Sequence, residues 1–258
     1  MTTFTKRYVR SFEELATIPL AERYKYYLDR KLLAQKTTFK NTDEPLVHQS
    51  EVEAAGIKCM PFWRDEDQGD ELDSEGRAFQ RYLKEHPDFG VSVRQNVLPK
   101  LVAVQKQLPA HIRLVIKAAL RPVSVQRDVF QEELQNVKDQ HPDWDEQQTY
   151  TYTLEFVTDP DAFLPPHASG GTLDVHLWDE AKQTYVDMGS PVNAVDDLSW
   201  SANTTGLTEQ QIANRTLLRE TMLAAGFAPL AAEWWHYSYG DQRWAVYYDK
   251  DPLYNAVP

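Results

Sequence analysis

Two short segments about sixty residues apart carry most of the side chains in this sequence that are able to do chemistry. The first runs from His167 to Asp174 and reads HASGGTLD, and the second runs from Glu233 to His236 and reads EWWH. Together they supply two imidazoles, one carboxylate suited to a metal and one suited to holding a proton. Three protein ligands with a fourth position left open are typical of a catalytic zinc site, whereas a structural site closes all four positions. The pattern therefore favours a metal-dependent hydrolase.

The surroundings of these residues support a shared site, although each residue alone has an ordinary explanation. Asp174 lies between apolar residues of a predicted strand, and a buried carboxylate there must be paired, hydrogen-bonded or metal-bound. His176 lies on the same face and is an alternative ligand or a neighbouring support. Glu233 and His236 are three residues apart, so they share a face only if the chain turns or bulges between them. Taken singly, His167 would be read as a turn histidine.

Two further residues bear on the chemistry. Arg121 ends a predicted strand and precedes a proline, and a guanidinium there could stabilise an oxyanion. A surface salt bridge is the alternative, and the local sequence does not decide between them. Cys59 is the only cysteine, which excludes an intrachain disulfide and a cysteine-rich zinc site. No G-x-S-x-G motif occurs, so a nucleophile triad is disfavoured.

Hydrophobic periodicity predicts alternating helices and strands around these residues. Helices are predicted over residues 97–108, 125–138 and 208–225, the last capped by Thr208 with Gln211 three residues on. Strands are predicted over residues 112–119, 172–178 and 237–248, and residues 147–156 fit either state. This mixture predicts an α+β fold, with a central antiparallel sheet flanked by helices and the zinc site in a cleft on the sheet.

Composition limits the class of protein and its partners. The chain has 258 residues, of which 42% are hydrophobic, and we expect a single domain with an N-terminal part over residues 1–90 and a catalytic core over 91–250. The formal net charge of −12 argues against nucleic acid or an anionic membrane as the main partner. The chain begins without an apolar signal core and has no long apolar run, so we expect a cytoplasmic protein. The acidic run over residues 64–76 is predicted to be a solvated loop.

The motifs together resemble the zinc D-Ala-D-Ala dipeptidases of the VanX type, in the peptidase family that also holds D,D-carboxypeptidases. The family pattern is S-x-H-x-x-G-x-A-x-D followed by E-x-W-H. The first motif is matched here by His167, Gly170 and Asp174, and the second by Glu233, Trp235 and His236. The family's arginine lies in an R-P step after a strand, as Arg121 does. The resemblance covers roughly residues 90–250 and has its motifs in the family order.

The resemblance implies a role for each residue. His167, Asp174 and His236 would bind one zinc ion, Glu233 would take a proton from zinc-bound water and return it to the leaving amine, and Arg121 would stabilise the tetrahedral intermediate. The substrate would be D-Ala-D-Ala or a related small D-dipeptide, contacted by Asn193, Asp196 and Ser190.

The chain departs from the family pattern at several positions. Pro165 replaces the motif serine, Thr172 replaces the alanine, and Asn193 stands where the family usually has an aspartate for the substrate's amino group. Asp196 and Asp197 are close enough in sequence to compensate. Two alternatives follow: a zinc peptidase of the same family that acts on another cell-wall peptide, and a non-catalytic zinc-bearing binding domain such as the one in hedgehog proteins. The presence of Glu233 and Arg121 argues against the second, because a purely structural site needs neither.

Overall fold

Helices and short strands alternate along the chain in the computed structural model, which describes residues 11–26, 30–64, 73–194 and 196–257. The helices are α1 (Phe12–Ala16), α2 (Arg30–Gln35), α3 (Gln49–Ala54), α4 (Ser74–Glu85), α5 (Leu98–Gln107), α6 (Val123–Gln140), α7 (Glu146–Thr153), α8 (Glu209–Ala224) and α9 (Gln242–Tyr248). The strands are β1 (Leu46–His48), β2 (Lys58–Cys59), β3 (Ser92–Arg94), β4 (Ile112–Ala118), β5 (Thr172–Asp179), β6 (Thr184–Tyr185), β7 (Ala228–Leu230) and β8 (Glu233–Ser238).

The main sheet has the strand order β2-β4-β5-β8-β7, and β6 pairs with the end of β5 that β8 leaves free. All of these pairs are antiparallel except β2 with β4. Strands β1 and β3 form a separate antiparallel pair. The α+β class with a central sheet and flanking helices is therefore confirmed, with one short parallel pair added at the edge.

Three predicted helices are present close to their expected bounds, as α5, α6 and α8. Pro99 is the second residue of α5, where its missing N–H costs no intrahelical hydrogen bond. Thr208 and Gln211 form the expected capping box at the start of α8. The ambiguous segment forms α7, because Asp145 and Gln148 cap it in the same reciprocal way.

The predicted strand over residues 237–248 is wrong, because the chain ends β8 at Ser238 and begins α9 at Gln242. Gly240 turns the chain with a φ of 73°. The Asp241 side chain then accepts a hydrogen bond from the Trp244 backbone N–H at 2.8 Å and so caps the helix. Aromatic residues suit a strand and a buried helix alike, and the cap decides between them here.

The two faces of the sheet have different characters. One face packs its apolar side chains against α5 and α8, and its buried residues include Ile112, Leu114, Ile116, Leu173, Val175, Leu177, Trp235 and Tyr237. The opposite face of β5 and β8 carries Thr172, Asp174, His176, His236 and Ser238, all of which are buried. The polar face therefore holds the predicted ligands on a sheet that the apolar face fixes in place.

A β-bulge changes the end of β4. The register with β5 shifts between Ile116 and Ala118, so Ala118 leaves the face that Ile116 occupies. Ala118 packs instead with a second cluster, formed by α4, α6 and the 3-10 turn Phe62–Arg64, which includes Phe62, Trp63, Phe79, Val125 and Val129. The bulge directs the chain beyond β4 toward these two helices.

The acidic run predicted to be a solvated loop is only partly described, since residues 65–72 lie outside the described part of the chain. Its last residues contradict the prediction. Asp73 caps α4 by accepting a hydrogen bond from the Gly76 N–H at 2.7 Å, and Glu75 in the first turn is only 8% exposed. The first turn of α4 is buried because the helix packs against α6 and the end of β4.

Among the described residues, no helix is long and apolar enough to cross a membrane.

Candidate metal centre

Asp174 and His236 face each other across the pair of strands β5 and β8, where they are direct register partners. Opposed residues on one face of an antiparallel pair bring their side chains into contact. His236 Nδ1 lies 3.2 Å from Asp174 Oδ1, and both residues are less than 5% exposed. Backbone pairing alone therefore fixes two of the three predicted ligands.

His167 reaches the same point from a short 3-10 helical turn, Pro166–Ser169, that precedes β5. Gly170 follows with a φ of 72°, a left-handed conformation that favours glycine, and returns the chain to the strand. His167 Nε2 lies 3.2 Å from Asp174 Oδ2. Its Nδ1 donates a hydrogen bond to the Ala119 carbonyl at 2.8 Å, which leaves Nε2 with a lone pair for a metal.

One ligand atom from each of His167, Asp174 and His236 lies within 4.8 Å of the other two. Asp174 Oδ1 is buried and has no hydrogen-bond partner among the described residues, despite its nearness to His236. Two imidazole nitrogens and a carboxylate oxygen are the donor types of catalytic zinc sites, in which a fourth position stays open. The chemistry of the three side chains therefore fits a zinc ion.

The electrostatics of the group favour a bound cation. Burial alone would raise the pKa of Asp174, but the charges of His167 and His236 outweigh it and hold that pKa well below its usual range. Burial lowers the pKa of His167, and the Asp174 carboxylate outweighs this and raises it. The carboxylate is thus held ionised, which is the form that binds a metal.

Glu233 approaches the group because β8 is irregular at its start. The register between β7 and β8 shifts between Pro229 and Leu230, so that Leu230 pairs with Glu233 while Pro229 pairs with Tyr237. Glu233 Oε2 lies 3.4 Å from His236 Nδ1, and the Glu233 side chain is 34% exposed. The chain therefore bulges, as a contact between residues three apart requires. The Glu233 carboxylate contacts His236 and is also partly exposed to solvent.

Arg121 lies beside the candidate metal ligands and forms a largely buried ion pair. The surface salt bridge that remained as an alternative from the sequence is therefore wrong. The Arg121 backbone N–H donates to the His167 carbonyl at 3.2 Å. Its Nη1 donates to Gln126 Oε1 at 2.8 Å, and its Nη2 pairs with Glu75 Oε1. Its Nε is buried and has no hydrogen-bond partner among the described residues. A fixed guanidinium with an unused donor is suited to a substrate oxygen.

The sequence analysis missed Glu75 as a member of this group. The pKa of Glu75 is raised by burial, and the Arg121 charge opposes this effect. Asp73 two residues earlier has the side chain of a helix cap, and that signal could have placed Glu75 in the first turn of a helix. No local signal connects Glu75 to Arg121, which is 46 residues away along the chain.

The three predicted substrate contacts are tied to structural partners. Ser190 Oγ accepts hydrogen bonds from Trp234 Nε1 at 3.0 Å and from Arg215 Nη2 at 3.1 Å. Asp196 Oδ1 caps the turn Asp197–Ser199 by accepting from the Ser199 N–H at 2.9 Å. A substrate role for either residue stays a prediction.

Asn193 lies in a turn with a φ of 65°. Its Nδ2 donates to Asp73 Oδ2 at 3.2 Å. Asp73 caps the helix that carries Glu75, so this contact brings the loop around Asn193 to the side of the site that Glu75 and Arg121 occupy. A carboxylate is thus present next to Asn193.

Two residues that the sequence raised are outside the group of ligands. His176 Nδ1 accepts a hydrogen bond from the Leu177 N–H at 2.8 Å, and burial lowers the pKa of His176 to about 4. Its ring packs against Trp234 and Tyr185. Burial raises the pKa of the Cys59 thiol to about 12, which keeps it protonated and poorly nucleophilic.

Comparison with known proteins gives a family model, two relatives and a solved structure that are similar to this chain. A family model described as D-ala-D-ala dipeptidase matches residues 93–256. A D-alanyl-D-alanine dipeptidase of Synechocystis sp. is 36% identical over 96 residues, which are 33% of this chain and 38% of that protein. One of Streptomyces coelicolor is 35% identical over 72 residues, which are 28% of this chain and 35% of that protein. The match thus spans less than two fifths of either relative.

A solved structure, VanYB in complex with D-Alanine-D-Alanine, is also similar. It is 15% identical, with a TM-score of 0.39, and the match covers 62% of this chain and 79% of that chain.

Proposed function

We propose that this chain, which belongs to the D-Ala-D-Ala dipeptidase family of peptidases, is a zinc-dependent dipeptidase that hydrolyses D-Ala-D-Ala or a related D-dipeptide. The observation that carries the proposal is the convergence of His167, Asp174 and His236 within 4.8 Å, with Glu233 3.4 Å from His236. Ligands alone would serve a structural or binding role. A partly exposed carboxylate against the ligands adds a group that can move a proton.

His167 Nε2, Asp174 and His236 Nδ1 would hold the zinc ion. When bound, zinc lowers the pKa of a coordinated water to about 7 and polarises the substrate carbonyl. The Ala119 carbonyl fixes the tautomer and the ring orientation of His167.

Glu233 is the proposed general base and acid. Its carboxylate takes a proton from the attacking water and later gives it to the leaving amine. A side chain that is one-third exposed can reach a substrate that enters from solvent, and its contact with His236 keeps it near the reacting atoms.

Arg121 is proposed to stabilise the oxyanion that forms when water attacks the carbonyl. A guanidinium already fixed in position needs no reorganisation during the reaction, so its charge acts fully on the transition state. The unused Nε–H of Arg121 is the donor that supports this role.

The small D-dipeptide is proposed from the family and from the names of the relatives, which are D-alanyl-D-alanine dipeptidases. Asn193, Asp196 and Ser190 remain the proposed contacts to the substrate. The Asp73 carboxylate that accepts from Asn193 offers a negative charge to an ammonium group in that region.

Release of alanine from D-Ala-D-Ala by zinc-loaded protein tests the proposal. We expect release from the D-form, no release from L-Ala-L-Ala, and loss of activity with a chelator that returns when zinc is added back. Release from neither form by protein that holds one zinc per chain would contradict the D-dipeptide as substrate.

A second candidate keeps the zinc chemistry and changes the substrate to another cell-wall peptide. It is favoured by Asn193, whose neutral side chain replaces a charged one in the family pattern. A panel of wall peptides analysed by mass spectrometry separates the two candidates. If no peptide is hydrolysed, while the protein binds zinc tightly and a protein partner is recovered in a pull-down, the non-catalytic binding domain would be favoured.

A further inference from the structure

Glu75 is a buried acidic side chain beside the metal centre to which the proposed function gives no role. It lies outside residues 93–256, the part of the chain that the family model matches. It is 8% exposed, and the charges of Arg121, His167 and Asp174 all act on it. A buried carboxylate is costly unless it is paired, so a specific partner must hold it there.

Helix α4 inserts Glu75 into this position. Asp73 fixes the start of the helix. Ala78 and Phe79 then pack the helix against Ala118, Val125 and Val129 of β4 and α6. The first turn of α4 therefore lies against the segment that connects β4 to α6, and this segment contains Arg121.

Arg121 is held on two sides of its guanidinium. Glu75 pairs with Nη2, and Gln126 accepts from Nη1 at 2.8 Å while donating its own Nε2 to the Thr158 carbonyl at 2.8 Å. The Nε of Arg121 is buried without a partner among the described residues. The two contacts fix the plane of the guanidinium and leave its Nε–H without a partner among the described residues.

Charge explains why a carboxylate is needed here. An unpaired guanidinium next to a site for a divalent cation would be repelled by the bound metal, and it would also lack water to solvate it. Glu75 supplies the opposite charge at Nη2 of Arg121. Gln126 is neutral and provides only a hydrogen bond.

We propose that Glu75 is a positioning residue that holds the Arg121 guanidinium beside the metal centre with one N–H free for a substrate oxygen. The expected effect on kcat rests on the proposed function. The positioning of Arg121 by Glu75 does not, and it can be tested without any substrate. With this role for Glu75, helix α4 supports the active site although it lies outside the segment that the family model matches.

The kinetic test is a double-mutant cycle with Glu75→Gln and Arg121→Ala in zinc-loaded protein. Glu75→Gln keeps the shape and removes the charge, and we expect kcat for D-Ala-D-Ala to fall at least about 10-fold, since removal of one oxyanion donor typically costs about 10²–10³-fold. We expect KM to change less than about threefold, because the lost interaction is made in the transition state. The double variant should be no slower than Arg121→Ala alone, because Glu75 acts through Arg121.

Glu132→Gln is the matched control, because Glu132 also connects α4 to α6 by an ion pair, with Arg77 and Arg81. It does not touch Arg121, and we expect its kcat to remain within about twofold of the wild type. If Glu75→Gln does not fold, as judged by thermal unfolding and zinc content, Glu75→Asp replaces it. This shorter carboxylate keeps the charge, withdraws from Arg121 and should also lower kcat.

The test without substrate follows the Arg121 Nε–H by nuclear magnetic resonance, with Arg121→Ala to assign the signal. We expect slow exchange of this proton with solvent in the wild type and in Glu132→Gln, and fast exchange or loss of the signal in Glu75→Gln. This result supports the hold on Arg121 even if the wild type does not hydrolyse D-Ala-D-Ala.

Three results would overturn the inference. The first is an unchanged Arg121 Nε–H signal in Glu75→Gln. The second is a Glu75→Gln effect on KM with kcat unchanged, which would make Glu75 a binding residue. The third is an independent, multiplicative loss of kcat in the double variant, which would mean that Glu75 acts through something other than Arg121.

Discussion

Asp174 lies between the two candidate histidine ligands and contacts both of them. Its two oxygens lie 3.2 Å from His167 Nε2 and 3.2 Å from His236 Nδ1. Glu233 differs from it in environment, since it is one-third exposed and touches only His236 among these residues. We therefore expect the buried carboxylate to bind the metal and the partly exposed one to transfer the proton.

Asp174→Asn should remove most of the zinc. The amide keeps the size of the side chain but loses the negative charge, and we expect zinc affinity to fall at least about 100-fold, since loss of even a supporting residue costs about 10–100-fold. Zinc content after dialysis measures this. Asp179→Asn, at the other end of β5, is the control and should retain one zinc per chain. Full zinc content in Asp174→Asn would remove Asp174 from the ligand set.

Glu233→Gln should keep zinc and lose turnover. We expect kcat to fall by about 10³-fold, because general acid–base groups contribute about 10²–10⁴-fold. Steady-state kinetics with zinc analysis on the same sample measures both quantities. Glu209→Gln, in the exposed first turn of α8, should behave as the wild type. A Glu233→Gln variant with normal kcat would show that another group moves the proton.

At the scale of elements, strand β5 and its neighbours set the geometry of the site. Pairing with β8 places Asp174 opposite His236, and the bulge in β4 sends the chain toward Arg121. The turn before β5 depends on close approach of two backbones, since a Cβ on Gly171 would lie 2.0 Å from the Tyr239 carbonyl oxygen.

Gly171→Ala should destabilise the fold. The nearest atom to the new methyl group belongs to the backbone, so β5 and the chain after β8 must move apart, and we expect a loss of about 1–3 kcal/mol. Urea unfolding measures the change. Gly90→Ala is the control, because its Cβ would meet only the end of the flexible Gln49 side chain, at 2.7 Å. Equal stability of the two variants would mean that the backbones separate at little cost.

His176 should make stability depend on pH. Burial is the largest cause that lowers its pKa, to about 4 in the folded protein, whereas an unfolded histidine has a pKa of about 6.5. Between these values the unfolded chain binds a proton that the folded chain does not. Stability is therefore full above about pH 6.5 and falls toward pH 4, by about 3 kcal/mol in total.

His176→Asn removes this titration and should flatten the dependence. Urea unfolding of metal-free protein from pH 7 to pH 4 measures it, with metal removed because zinc binding is itself pH-dependent. His141→Asn, at the C-terminal end of α6, should leave the dependence unchanged. The same slope in His176→Asn and the wild type would assign the effect to other groups.

At the scale of the whole molecule, the metal centre joins parts of the chain that are far apart in sequence. The apolar core under β5 and β8 includes residues of α5 and α8, and another cluster, separate from the one around Ala118, packs Leu15, Tyr24 and Leu32 against α9. The N-terminal residues thus support the segment that follows β8. A metal ion bound by His167, Asp174 and His236 would link β5, β8 and the turn before β5, so we expect it to stabilise the native state.

Zinc should raise the melting temperature of the wild type, and a chelator should lower it. A ligand that binds only the native state adds about 4 kcal/mol when its concentration is about 1,000 times its Kd. Thermal scans over a zinc series measure the shift, with magnesium as the control cation, since magnesium prefers oxygen ligands. A melting temperature independent of zinc would contradict a site formed by His167, Asp174 and His236.

The sequence by itself determined the chemical types at the candidate site and most of the elements that carry them. The ligand types follow from which side chains are present, and helices such as α8 follow from periodicity and caps within a few residues of each other. The α+β class follows from the same local patterns. The aromatic segment over residues 237–248 is the exception, because its side chains suit two structures and the turn at Gly240 and Asp241 decides between them.

Only the tertiary structure decided which distant residues meet. The pairing of Glu75 with Arg121 depends on how α4 packs on α6, and the contact of Glu233 with His236 depends on a register shift against β7. Such contacts are set by the packing of whole elements, and no short segment of sequence contains them. The residue types determine which chemistry a site can support, and the packing of distant elements determines which charged side chains lie next to one another in that site.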